Sequence, residues 1–441
     1  MLKYKNEIRG IFFHASNYNG PNWNSIATVL SSLDVNFACV EAGGNNYARW
    51  SSTIIPTWWY DMVKHGSEAC HSIGIDFGIS LNLLLSAYTG DGIERRVLTC
   101  NSDGSSIRYT NWLCPTNPFS RSLLKSLVEE LFSKYTIDVF VFDYIRYDTR
   151  EMCFCSYCEN SFKTDTGLID ASFPIDVIES GKYSKEFVEW RTKPITELVR
   201  DIRNWILAVN SDVEFGVAAW NYCFNGGYPT YWRYWIGQDT NYWIKEGYVD
   251  FISPMIYTDS TTALNTAISC WREHGTGGPE GKVLLVPFID TCVDEISTPD
   301  NFKERVNLLR RLGVDGWIVW RYGGPGDGQD SGAPDIRNYL SGMNSFPVWE
   351  IQNIQVKIQG NQGIITWETS EPTTGRIEYS SVPLFYGTII STLDFQYWKI
   401  IHNPGTTIED TIESTRHTIV LSNLSRNKTY YYRIQSVKSN E

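Results

Sequence analysis

Two groups of side chains in this sequence have the type and spacing for chemistry. The first is acidic. The apolar run Val139-Phe140-Val141-Phe142 stops at Asp143, which is followed by Tyr144-Ile145-Arg146-Tyr147. Phe142 and Tyr144 give this carboxyl partly apolar surroundings, and Arg146 favours its charged form, because a nearby cation lowers a carboxyl pKa. Glycosidic bonds are cut by carboxyl pairs: one group stabilises an oxocarbenium-like centre and the other protonates the leaving oxygen. The other acids that end apolar runs are Asp259, Asp290 and Glu41. Asp259, flanked by Thr258 and Ser260 with no adjacent cation, is the expected acid partner of a charged Asp143. The bland alternative is that Asp143 closes its loop by pairing with Arg146.

The second group is thiol. Cys153-Phe154-Cys155-Ser156-Tyr157-Cys158 puts three cysteines in one short stretch. They cannot all pair with one another, and a Cys153–Cys155 bridge would be strained. Such spacing suits tetrahedral zinc, which needs a fourth ligand from elsewhere. Cys114, in Leu113-Cys114-Pro115-Thr116, is the candidate. Four thiolates leave no position open for water, so this zinc would be structural. A Cys155–Cys158 disulfide or free buried thiols are the alternatives. Only six His occur, none in a His-x-His or His-x-x-x-His pair, which leaves a deacetylase-type open metal site without ligands. No organic cofactor is expected.

Some scaffold must bring these groups together. Eight strand-like runs alternate with helix-like segments: Ile8–Phe13, Val35–Glu41, Asp76–Asn82, Val139–Asp143, Val213–Ala219, Phe251–Ile256, Val283–Phe288 and Gly316–Trp320. Most are short and continuously apolar, as parallel strands buried on both faces are. Leu124, Leu127, Val128 and Leu131 repeat at helical spacing, as do Ile195, Leu198, Val199 and Ile202. Asp300 is a plausible N-cap for a helix carrying Phe302, Val306 and Leu309. Eight βα units predict an α/β fold, a (β/α)8 TIM barrel over residues 1–345, with its active site at the C-terminal strand ends. His14, Glu41, Asn82 and Asp143 fall at those ends or just past them. So do Trp220, Asn221, Tyr257 and Asp259, and so do Asp290, Trp320 and Arg321. All but the catalytic pair, together with Tyr144 and Arg146, are expected to contact sugar. The loops after strands three and four carry Cys114 and the cysteine triplet; neighbouring loops meet at one face of a barrel, so the four sulfurs can converge.

Helical periodicity ends near residue 345. The alternating runs Ile354–Ile358, Gly363–Trp367, Gly375–Tyr379, Thr418–Leu421 and Thr429–Val437 predict a small all-β sandwich over 346–441, after an exposed linker within about 340–352.

Composition narrows the partners. Of 441 residues, 17 are Trp, 26 Tyr and 20 Phe, against 38 Lys and Arg, and the net charge is −12. An acidic surface disfavours nucleic acid, which selects basic patches. No apolar run is long enough for a membrane span. Flat aromatic rings crowded in polar segments such as 220–243 suit sugar faces. Met1 to Arg9 carries no leader-like apolar stretch, which leaves both a mature secreted or cell-surface form and a cytoplasmic one. Asn423-Leu424-Ser425 and Asn427-Lys428-Thr429 match the N-glycosylation pattern. The oligomeric state is not encoded in any pattern found.

Asp143-Tyr144-Ile145-Arg146-Tyr147 resembles the motif of the glycoside-hydrolase-like family 10 barrels. Arg9-Gly10-Ile11-Phe12 is similar to that family's opening strand, Asn117-Pro118 to its Asn-Pro loop, and Gln238-Asp239…Trp243…Gly247…Val249-Asp250…Pro254-Met255…Tyr257 to its sixth unit. Ser80-Leu81-Asn82 departs from it where the family tends to carry His-x-Trp. This resemblance implies a carbohydrate-active barrel and brings Asp239 among the expected substrate contacts. Cys114-Pro115-x-x-Pro118, followed by Cys153-x-Cys155-x-x-Cys158, is similar to the structural zinc site of family 42 β-galactosidases. Trp367, Gly375-Arg376-Ile377-Glu378-Tyr379 and Leu421…Leu424…Thr429-Tyr430-Tyr431-Tyr432-Arg433 resemble a fibronectin type III domain, although 383–412 does not follow that pattern. The expectation is a glycoside hydrolase acting on a poly- or oligosaccharide; the alternative is a non-catalytic glycan-binding barrel, since a fold by itself does not establish activity.

Overall fold

The computed structural model describes residues 7–14, 20–44, 47–85, 96–221, 235–273, 283–291, 298–325, 333–343, 352–381, 385–391, 396–402, 405–425 and 427–437. The chain divides near residue 345 into two compact units.

The first unit is a (β/α)8 barrel. Its strands are β1 (Ile8–Phe13), β2 (Phe37–Gly44), β3 (Asp76–Asn82), β4 (Val139–Asp143), β5 (Glu214–Ala219), β6 (Phe251–Pro254), β7 in two pieces (Leu284–Leu285 and Phe288–Asp290) and β8 (Gly316–Trp320). Each pairs in parallel with its neighbour. The split in β7 closes the ring: Leu284–Leu285 pairs with β6, and Phe288–Asp290 pairs with β8. Pro287 sits at the break, where a residue without an N–H does least harm to a ladder.

Alternating residues divide the core. Phe12, Phe37, Cys39, Val139, Val141, Phe251 and Ile318 fill the barrel interior as one cluster. Ile11, Ala38, Val40, Phe140, Phe142 and Val319 belong to the larger shell shared with the helices. Gly78 and Gly216 make room for the interior rings: a Cβ on Gly216 would lie 2.0 Å from the Phe251 ring, and one on Gly78 2.8 Å from Phe37.

The helices that matter for the site are α1 (Pro118–Lys134), α2 (Ser156–Thr166), α3 (Thr192–Val209), α4 (Thr240–Lys245), α5 (Thr261–Glu273) and α6 (Pro299–Arg311). Asn117 caps α1 by accepting from the Phe119 N–H, with Pro118 opening the first turn, which accounts for the Asn-Pro pair locally. α6 is capped by Thr298 and not by Asp300: Pro299 takes the first helical position, which leaves Asp300 inside the first turn, where its charge still favours the helix dipole.

The second unit is all-β. Gln362–Ser380 lies between Gln352–Gln359 and Thr406–Leu421 and also pairs with Tyr431–Val437, all antiparallel. Gly363–Trp367 and Gly375–Tyr379, expected as separate strands, are two parts of this one long strand, with register shifts between Glu368 and Gly375. Phe385–Ser391 and Gln396–His402 form a second, two-stranded sheet. Ile365, Trp367, Ile377, Ile419 and Leu421 of the four-stranded sheet form a core cluster.

Candidate active site

The inward alternation of the barrel strands runs on to their C-terminal ends. Val139, Val141 and then Asp143 share one face of β4; Phe37, Cys39 and Glu41 share one face of β2. By the same count Asn82, Trp220, Tyr257, Trp320 and His14 come to the mouth. In β4 the first four residues are buried and only Asp143 is reached by solvent.

Glu41 is the centre of a polar group. Asn82 donates from Nδ2 to Glu41 Oε1 at 2.7 Å, and His14 Nε2 lies 3.2 Å from Oε2. Burial and the charge on Glu41 lift the Asp143 carboxyl to about 7. The Tyr144 N–H, which donates to Asp143 Oδ1 at 2.7 Å, and Arg146 pull the other way and lose. This direction is against the charged form expected for Asp143. The Arg146 guanidinium acts on Asp143 more than on Asp148, which it faces at 3.6 Å while donating to the Tyr147 carbonyl. Desolvation together with a like charge outweighs this one cation.

Two aromatic groups flank these carboxyls. Trp320 stacks near Phe12 (5.0 Å between centroids), His14 (5.1 Å) and Tyr257 (6.3 Å). Across the mouth, the Arg146 guanidinium lies over Trp220 (4.7 Å), Trp112 (5.3 Å) and Tyr144 (5.4 Å). Trp220 is 43% exposed, a ring with the Arg146 guanidinium over one face and solvent beside it.

Several expected contacts are used structurally. Asp290, 1% exposed, pairs with Arg305 of α6 at 3.3 Å, and its carbonyl accepts from the same guanidinium. Asn221 is on the outward side of its strand end, and its Oδ1 accepts from Trp271 of α5 at 3.1 Å. Asp239 caps α4 through the Tyr242 N–H. Asp259 lies in the loop after β6, where its backbone carbonyl accepts from Asn301 and the Thr258 carbonyl from Arg305. Among the described residues, Glu41 and Arg146 are the charged groups that act most on Asp143. Arg321, half-buried, directly follows the end of β8 at Trp320.

Cys114, Cys153, Cys155 and Cys158 converge. Their sulfurs all lie within 4.8 Å of one another and all four residues are buried. Cys114 Sγ is 3.5 Å from Cys155 Sγ and 3.4 Å from Cys158 Sγ. A tetrahedral zinc with bonds of about 2.3 Å spaces its sulfurs by roughly 3.8 Å, so the four-thiol set fits a metal ion without rearrangement. None of these cysteines is in a disulfide. Arg191, fully buried, stacks 4.3 Å over Tyr147 and is anchored to the Thr149 and Trp235 carbonyls.

The cluster anchors the rim of the site. Cys114 ends the hairpin Arg96–Thr99/Arg108–Leu113, whose Trp112 touches Arg146. The Phe154 N–H donates to the Leu98 carbonyl, and the Thr99 hydroxyl to the Glu151 carbonyl. Sequence reasoning missed Trp112 and also Arg49. Arg49 is buried beneath the Trp58 ring at 4.3 Å and feels the charge of Glu41. Trp112 had a signal, two residues before Cys114; Arg49 had none.

Among solved structures, the glycoside hydrolase domain of PgaB (BpsB) from Bordetella bronchiseptica is similar over 71% of this chain and 94% of that one, with a TM-score of 0.60 and 11% identity. A β-galactosidase from the Antarctic haloarchaeon Halorubrum lacusprofundi has a TM-score of 0.54 and 10% identity over 79% of this chain; the match spans 59% of the galactosidase. One from Bacillus circulans sp. alkalophilus has a TM-score of 0.53 and 12% identity over 78% of this chain and 55% of its own. At these identities the likeness is one of fold. No curated protein matches the sequence. Residues 93–275, which carry the Asp143 motif and the whole cysteine cluster, match the family model Glycosyl hydrolase-like 10.

Proposed function

We propose that this chain is a glycoside hydrolase that cleaves a poly- or oligosaccharide, with Asp143 as proton donor and Glu41 as the charged carboxylate. The observation that carries this reading is the Asp143 carboxyl held near 7 at the open mouth of the barrel, beside a second carboxyl. Glycoside cleavage needs such a division, one acid keeping its proton and one charged. Glu41 stands ahead of Asp259 as partner because its charge acts on Asp143 and because Asn82 and His14 orient it. Trp320, Tyr257 and Trp220 offer the sugar rings flat apolar faces.

The metal of the four-thiol site is zinc in this reading, with a structural role. The C-terminal unit is taken as a fibronectin type III-like module, and limited proteolysis should nick the native protein within about residues 340–352, of which 344–351 lie outside the described residues. We take the protein to be secreted or displayed at the cell surface, where polysaccharides are met. The defining experiment is Asp143→Asn tested on a panel of neutral and acidic polysaccharides: hydrolysis should vanish while glycan binding and folding persist. Undiminished hydrolysis by that variant overturns the assignment. Binding without hydrolysis by the wild-type protein would favour a glycan-binding barrel.

A further inference from the structure

At the barrel mouth β5 runs on past the end of its ladder with β4. Pairing between the two stops at Phe142 opposite Val217, and Tyr144, at φ 47°, leaves the strand conformation. On the other edge of β5 the ladder continues, with the Met255 N–H donating to the Ala219 carbonyl at 3.0 Å. Peptide groups alternate between the two edges of a parallel strand. The Ala218 carbonyl and the Trp220 N–H therefore face the edge that β4 no longer covers, and buried groups of this kind need partners.

Gln238 supplies both. Its Oε1 accepts from the Trp220 N–H at 2.9 Å, and its Nε2 donates to the Ala218 carbonyl at 3.4 Å. The carboxamide makes the two bonds that one residue of a parallel neighbour would make, so a side chain extends the ladder by a step. Gln238 is 0% exposed. The segment that carries it is held in turn. The Tyr147 N–H donates to the Ile236 carbonyl at 2.8 Å, and a Cβ on Gly237, which has φ 79°, would lie 3.0 Å from the Tyr147 ring.

We propose that Gln238 is the positioning residue of the Trp220 ring, fixing the end of β5 so that this ring stands at the mouth as a platform for a sugar unit. The sugar rests on the glycosidase reading above; the placement of the ring does not. Ala218 belongs to the interior cluster, so the next residue on that face is Trp220. Held there, the ring lies 4.7 Å from the Arg146 guanidinium and keeps solvent beside it. Asn221, the following residue, bonds Trp271 on the outer side. A ring already fixed through its backbone gives up little freedom when a ligand stacks on it.

The test uses the full chain labelled with 5-fluorotryptophan, in which Trp220→Phe assigns the fluorine line of residue 220. Gln238→Met removes both bonds at similar side-chain size. It should shift or broaden that line and leave the other tryptophan lines in place. Gln238→Asn is the milder variant should Gln238→Met not fold: its carboxamide is too short to span both groups, and it should move the same line. An unmoved Trp220 line in a folded Gln238 variant overturns the proposal. Kinetics read the sugar. On the polysaccharide of the neutral and acidic panel that the wild type cleaves, Gln238→Met should raise KM about fivefold, the scale of one aromatic contact, and leave kcat within about twofold. Trp220→Ala should raise KM at least as much, and adding Gln238→Met to it should cost nothing further, because one residue acts through the other. A fall in kcat at unchanged KM, or losses that add, overturns the proposal. If the line moves but the wild type neither cleaves nor binds any member of the panel, the hydrolase reading falls and the placement of the ring stands.

Discussion

Glu41 of β2 and Asp143 at the end of β4 lie on two barrel strands that β3 separates, and the charge on Glu41 adds to burial in holding the Asp143 proton to about pH 7. A general acid works while it keeps its proton, so kcat/KM should fall about tenfold per unit above roughly pH 7. Asp143→Asn should lower kcat on natural glycans by about 10²–10⁴. A pH–rate profile on the wild type checks the first claim, and single-turnover assays check the second.

The same shift has a stability sign. In the unfolded chain Asp143 ionises near 3.8, whereas in the folded protein it ionises near 7. Between those values the folded state binds more protons than the unfolded one, so this group's contribution weakens as pH rises from about 4 to about 7 and levels off above. Asp143→Asn removes that penalty. It should be more stable than the wild type at pH 8 by on the order of 1–2 kcal/mol, and no more stable at pH 3.5, in urea melts.

Glu41→Gln removes the like charge but keeps the Asn82 bond acceptor. The Asp143 pKa should drop, and any residual activity should show its alkaline limb at lower pH. Asp259→Asn should leave that limb in place. A limb moved by Asp259→Asn and untouched by Glu41→Gln would make Asp259 the partner.

How much of this was legible before the structure follows from period and from partner. The eight strands were readable because parallel strands buried on both faces are continuous apolar runs. Asp143 was readable because it interrupts one. Its protonation was not: Arg146 is close in sequence but is outweighed by burial and by Glu41, which is distant in sequence yet acts on Asp143 in the fold. The alternation that brings Glu41, Asn82 and Trp320 inward and Asn221 outward is present in the sequence, yet choosing the face requires knowing which residues fill the barrel. Asp290 looks like a strand-end catalyst until Arg305, fifteen residues on, is seen to cover it.

That pair makes a separate prediction. Asp290 and Arg305 are 1% and 0% exposed, and removing one partner strands the other charge in the core. Asp290→Ala should therefore destabilise by about 3–5 kcal/mol. The loss should appear in thermal melts and not in the pH dependence of the remaining folded enzyme.

For the cysteine cluster, elemental analysis of undenatured protein should find close to one zinc per chain. Cys114→Ser should lose most of it and lower the melting temperature, because metal binding is coupled to folding. Since Cys114 ends the hairpin that carries Trp112, metal-depleted protein should lose more in KM on long glycans than in kcat on activated aryl glycosides.

Trp112 and Cys114 pin the inner strand of this hairpin by ring contact and by sulfur. The turn of residues 101–107 is tied by local bonds such as Ser105 to Asp103 and to Asn101, and also by Gly104, where a Cβ would lie 2.7 Å from Ile175. The tip is therefore keyed at one residue: a loop library on this stem that keeps Gly104 keeps the docking, and one that replaces it does not.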